Sequence, residues 1–123
     1  MESVKNIFKY PLEDKMNCHG GKGMIKQSFP FRGDDLESAL KFITYSVLPP
    51  GTSIGIHTHG RDEEVYCILE GKGTMHLDGE NRPVEKGDII LNRPRGTHGL
   101  ENTGEEDLLV LVFESAFEEE GDT

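Results

Sequence analysis

Apolar residues in this chain come in short runs of strand length, each cut off by residues that turn the backbone, and this punctuation limits the fold more than any other feature. The strongest run, Leu-Lys-Phe-Ile-Thr-Tyr-Ser-Val-Leu at 40–48, stops at Pro49-Pro50-Gly51, where neither proline can donate to a β-ladder. Further strands are expected at 24–29, 53–59, 64–70, 73–77, 82–85, 88–91, 98–102 and 108–113. Between two of them stands Asp78-Gly79, the dipeptide suited to a two-residue hairpin whose central positions both take positive φ. Only 34–41 could form a helical turn, capped by Asp34 or Asp35. Evenly spaced short strands without a βαβ rhythm predict an all-β sandwich or barrel.

A domain organisation follows. Residues 1–23 lack apolar periodicity and end in the glycine-rich loop Asn17-Cys18-His19-Gly20-Gly21-Lys22-Gly23, so they read as an irregular N-terminal extension. Residues 24–113 form the β-domain. Residues 114–123 hold five acids, from Glu114 to Asp122, and read as a solvated acidic tail.

Composition excludes several roles. The 123 residues carry a formal net charge of −10, the wrong sign for a nucleic-acid partner. No apolar run approaches the roughly 20 residues of a bilayer span, and no signal-like segment opens the chain. Two cysteines, Cys18 and Cys67, make a poor disulfide framework, and a reducing cytoplasm is the expected location.

The chemistry concentrates in Gly51-Thr-Ser-Ile-Gly-Ile-His57-Thr-His59-Gly-Arg-Asp-Glu63-Glu64. On a strand His57 and His59 share one face and Ile54 and Ile56 the other. Two neutral imidazoles side by side are a chelate for a first-row divalent ion. The turn Gly60-Arg61-Asp62 brings a second strand alongside, beginning with the carboxylates Glu63 and Glu64. A later strand opens with His98. His76 reads as an ordinary strand residue and His19 as part of a surface loop. Glycine-rich stretches at 20–23 and 71–73 match neither a phosphate loop nor a dinucleotide fingerprint.

These residues resemble the cupins. The first cupin motif, G-x5-H-x-H-x3,4-E-x6-G, is filled at every fixed position by Gly51, His57, His59, Glu64 and Gly71. The second, G-x5-P-x-G-x2-H-x3-N, is met by Gly87, His98 and Asn102, while Pro94 and Gly96 each fall one place late. The motif selects Glu64 over Glu63, and strand parity then puts Tyr66 and Ile68 on the same interior face, with Val65, Cys67 and Leu69 opposite.

The resemblance implies a single-domain jelly-roll β-barrel holding one divalent metal ion through His57, His59, Glu64 and His98. An open site of nitrogen and oxygen donors favours Mn or Fe, with Ni, Co or Zn as further candidates. It also implies an enzyme acting on a small polar or carboxylate-bearing substrate, of the oxalate decarboxylase, dioxygenase or isomerase type. The alternative is a non-catalytic module that binds or senses a small molecule. No residue matches the lid glutamate of oxalate decarboxylases, so no catalytic acid is assigned. Family members commonly dimerise through their sheets, and 40–48 and 108–113 are apolar on both faces in places, so a homodimer is expected.

Overall fold

In the computed structural model, which describes residues 1–117, ten strands form two antiparallel sheets. The strands are β1 (Glu13–Met16), β2 (Met24–Arg32), β3 (Leu40–Leu48), β4 (Ser53–Thr58), β5 (Asp62–Glu70), β6 (Lys72–Leu77), β7 (Glu80–Glu85), β8 (Ile89–Asn92), β9 (Thr97–Glu101) and β10 (Leu108–Ala116). One sheet runs β1-β2-β3-β10-β5-β8 and the other β4-β9-β6-β7. The expected all-β fold is present. The helical reading of 34–41 shrinks to one 3₁₀ turn at Gly33–Asp35, and a second such turn lies at Cys18–Gly20. Among the described residues no helix is long and apolar enough to cross a membrane.

The core strands form where alternation gives them one buried face. On β10 the buried residues are Leu108, Val110, Val112 and Glu114, and on β5 they are Glu64, Tyr66 and Ile68, as parity predicted. Fully buried Ile25, Leu48, Leu100, Leu108 and Val110 meet between the sheets, where each large aliphatic chain contributes about 1.5–3 kcal/mol relative to exposure. Asp78 and Gly79 both take positive φ, at 49° and 84°, and close β6 onto β7 as the dipeptide predicted. Pro83 is tolerated because β7 is an edge strand.

The structure departs from the expectation at both ends. Within the first 23 residues, β1 pairs with β2 from Glu13↔Gln27 to Met16↔Met24. All four of its residues are exposed, so burial imposes no periodicity on that stretch. At the other end β10 continues past Phe113 to Ala116, which makes Glu114 a buried barrel residue and not part of a solvated tail. The acids beyond Phe117 lie outside the described residues.

Candidate metal centre

His57 on β4 stands directly opposite His98 on β9, and His59 follows at the start of the turn into β5. His57 and His98 belong to the four-stranded sheet, and His59 lies just past the end of its strand β4. Glu64 comes from β5 in the facing sheet. The sequence thus separates the donors by chain position and the fold converges them: one ligand atom from each of His57, His59, Glu64 and His98 lies within 4.8 Å of the others. Glu63, next in sequence, is exposed.

Simple alternation does not hold along β4. A bulge between Ile54 and His57 interrupts the pairing with β9. Ile54 is therefore buried in the core, while Ile56 is 57% exposed, so the two isoleucines do not share a face. The extra residue lets one short strand supply both a core side chain and the two imidazoles.

Glu64 is buried and anchors the cluster. Its Oε1 lies 2.9 Å from His98 Nε2 and 3.4 Å from His59 Nε2, and the buried Tyr66 hydroxyl also hydrogen-bonds to its carboxylate. Burial and that carboxylate push the Tyr66 hydroxyl well above its ordinary range, so it stays a proton donor. His57 donates Nδ1–H to the Gly55 carbonyl at 2.7 Å, which leaves Nε2 with its lone pair. Burial holds the His57 pKa down at about 4, opposed by that hydrogen bond and assisted by His19, His98 and His59. A neutral ring is the form in which imidazole ligates a metal.

Sequence reasoning missed two parts of this site. His59 Nδ1 lies 2.9 Å from Asp62 Oδ1, to which it hydrogen-bonds, and 3.0 Å from Glu114 Oε1. Lys41 closes the group at 3.2 Å from Asp62 and 3.4 Å from Glu114. Burial raises the Glu114 carboxyl above its usual range, with repulsion from Glu64 and Asp62 adding to the effect. The signal was available: the inward series Leu108, Val110, Val112, carried one step further, reaches Glu114, which pairs in register with Glu64.

The second omission is His19, whose ring stacks on His57 with centroids 4.0 Å apart and planes 12° apart. It is no free surface loop. Backbone meets backbone there, since a Cβ on Gly55 would lie 2.1 Å from the His19 carbonyl oxygen and one on Gly21 2.2 Å from that of Ser53. Ser53 N donates to the Lys22 carbonyl, and Lys22 N donates to Ser53 Oγ. Burial holds the His19 imidazole below its usual pKa.

The remaining candidates sort cleanly. His76 is hydrogen-bonded to Asn81, away from the cluster. Cys67 lies half-buried on the outer face and not in the core, while Cys18 is buried, and both are free thiols. Asn102 is buried and ties three segments, donating to the carbonyls of Leu48 and Glu106 and accepting from Gly104 N. The one-place slip in the second motif leaves Arg95, where the pattern has glycine, with φ 63°. Arg95 takes the left-handed conformation at that place, and His98 stands opposite His57.

Two histidine nitrogens in the cluster, His59 Nε2 and His98 Nδ1, are buried without a hydrogen-bond partner. His59 Nε2 is the one beside the Glu64 carboxylate, at 3.4 Å, and a buried imidazole nitrogen left there without a partner is a donor that a divalent ion would satisfy.

Known proteins point the same way. Residues 44–114 match the family model described as the cupin domain. An oxalate-binding protein of Thermotoga maritima is 34% identical over 78% of this chain and 79% of its own length. The crystal structure of a predicted oxalate decarboxylase from Thermotoga maritima superposes with a TM-score of 0.90 at 30% identity, covering 93% of this chain and 99% of that one. The cupin domain of Schizosaccharomyces pombe Cnp3 shares the fold alone, with a TM-score of 0.77 at 13% identity over 94% of this chain and 74% of that one. The motif spacing, the jelly-roll neighbours and a family match spanning more than half of the sequence agree, and the chain belongs to the cupin family.

Proposed function

We propose that His57, His59, Glu64 and His98 hold one divalent metal ion, Mn or Fe for preference, and that the protein is a metal-dependent enzyme acting on a small carboxylate-bearing substrate. The observation that carries this reading is the convergence of three imidazoles and one buried carboxylate from two sheets, with His59 Nε2 left orphaned at their centre. A bound ion supplies Lewis acidity toward a substrate carboxylate or carbonyl oxygen. The chain's own residues supply the rest. Tyr66 holds the Glu64 carboxylate by hydrogen bonding, Asp62 orients the His59 ring through Nδ1, and the stacked His19 ring shields one side of His57 from water. A decarboxylase, dioxygenase or isomerase would each use such a centre. The oxalate-binding relative supports a carboxylate as ligand, and it equally supports a second reading, a module that binds the acid without turnover.

Metal analysis of protein purified without added metal is expected to give one ion per chain. His57→Ala and His98→Ala should abolish it, while His76→Ala should not. Equal loss in all three would overturn the site. Turnover by Mn- or Fe-loaded protein of any member of a carboxylate and diketone panel, with and without oxygen, supports the enzyme. Thermal stabilisation by an acid with no product supports the binding module.

A homodimer through the outer face of the six-stranded sheet belongs to the same proposal. There Ile43, Phe113, Val65 and Leu91 form one row across four strands, and Leu111, Cys67 and Ile89 form most of the next. Ile89 is 72% exposed and Leu91 43%, more than isolated surface residues require.

A further inference from the structure

We propose that the cavity beside the metal cluster receives the hydroxylated tail of a carboxylic acid of sugar-acid size, whose carboxylate end lies at the cluster. This rests on the metal reading above and names the substrate class for it. The cavity is about 430 Å³, and Glu64 and Tyr66 form part of its wall. It meets the candidate centre at the Glu64 carboxylate. A volume in that range suits a ligand considerably larger than a two-carbon diacid.

The far wall shows what the ligand's other end carries. On β3 the inward residues Thr44 and Ser46 are buried and polar, although the β10 residues facing them across the ladder are Val112 and Val110. Gln27 of β2 joins them, donating Nε2–H to Ser46 Oγ at 3.2 Å. Ser46 is fully buried behind that bond and serves to hold Gln27, whose Oε1 is free to accept from a ligand. Thr44 donates its proton to the Ser28 carbonyl at 2.6 Å and keeps its lone pairs. The groups left free here, the Thr44 hydroxyl oxygen and Gln27 Oε1, are uncharged acceptors, which suits hydroxyl groups and not a second carboxylate. The charged residues lining the cavity outside this wall, Glu64 aside, are balanced between two acids and two cations. Phe29 and Phe42, edge to face at 5.6 Å, complete the wall with apolar surface for the C–H faces of a carbon chain.

Distance excludes oxalate from spanning this space. β3 stands two strands from β5 in the sheet, so about 10 Å separates their backbones at a strand spacing of about 4.8 Å. A two-carbon diacid chelating an ion in front of Glu64 leaves Thr44 and Gln27 untouched. A hydroxylated acid with several further carbons reaches them.

The test is calorimetric titration of metal-loaded protein with gluconate, galacturonate and oxalate, in wild type and in Ser46→Ala and Gln27→Leu. Metal content is measured first by mass spectrometry. Wild type is expected to bind at least one of the two sugar acids, and each variant should bind it about tenfold more weakly, the loss of one hydrogen bond. Oxalate affinity should stay within about twofold in both variants. Ser46→Ala removes the acceptor that holds Gln27 in place and serves as the decisive variant where Gln27→Leu unfolds early. Metal-loaded wild type that takes up neither sugar acid, or variants that leave sugar-acid binding unchanged or weaken oxalate equally, would overturn the tail site while the metal centre stands. Wild type that takes up no metal would instead overturn the metal reading on which the proposal depends.

Discussion

Asp62 reaches the candidate metal centre through the His59 ring. Its carboxylate accepts from His59 Nδ1 at 2.9 Å and so directs Nε2 toward Glu64. Without it the ring can rotate or change tautomer. Asp62→Ala is expected to weaken Mn or Zn binding by about tenfold to a hundredfold with little change in melting temperature of the metal-free protein. Unchanged affinity by calorimetry would show that Asp62 does not set the ring. The four residues that the fold brings together were legible through the resemblance to the cupin motifs, whose spacing names them with no knowledge of the other sheet. Glu114 was not, because an acid at the head of an acid-rich stretch reads as tail unless the preceding alternation is followed one residue further. His19 was illegible for a different reason: its place depends on a backbone contact between segments far apart in sequence.

That contact is the decisive feature at the scale of elements. The segment around the 3₁₀ turn at Cys18–Gly20 lies against β4 so closely that glycine is required on both sides, at Gly21 and Gly55. Gly55→Ala forces the His19 carbonyl away from a Cβ that would meet it at 2.1 Å. A stability loss of about 1–3 kcal/mol is expected in chemical denaturation. A loss below about 0.5 kcal/mol, within the range of ordinary surface changes, would mean that the loop is not seated on β4. Most of the strands were readable from the turn residues that end them. The β4 bulge was not, since Ser-Ile-Gly-Ile-His carries an unbroken alternation and only pairing with β9 shows where the extra residue goes. The edge strand β1 escaped because burial selects apolar residues and β1 is not buried.

For the whole molecule, the two faces of the six-stranded sheet have separate duties: the inner one carries Glu64, Glu114 and the polar wall, and the outer one the apolar rows. Replacing Ile89 and Leu91 together by lysine is expected to shift the protein from dimer to monomer in light scattering over a concentration series, with metal content unchanged. A wild-type protein that is monomeric throughout would rule out that interface. The division of donors between the sheets has one more consequence. Glu64 and His98 stand 34 residues apart in the chain and on opposite sheets. An ion bridging them would close that loop as a removable cross-link, and a covalent closure of this length restricts the unfolded chain by roughly 4 kcal/mol. Chelation would then withdraw a staple between the layers as well as a cofactor, so the same ion would govern how readily the two sheets come apart.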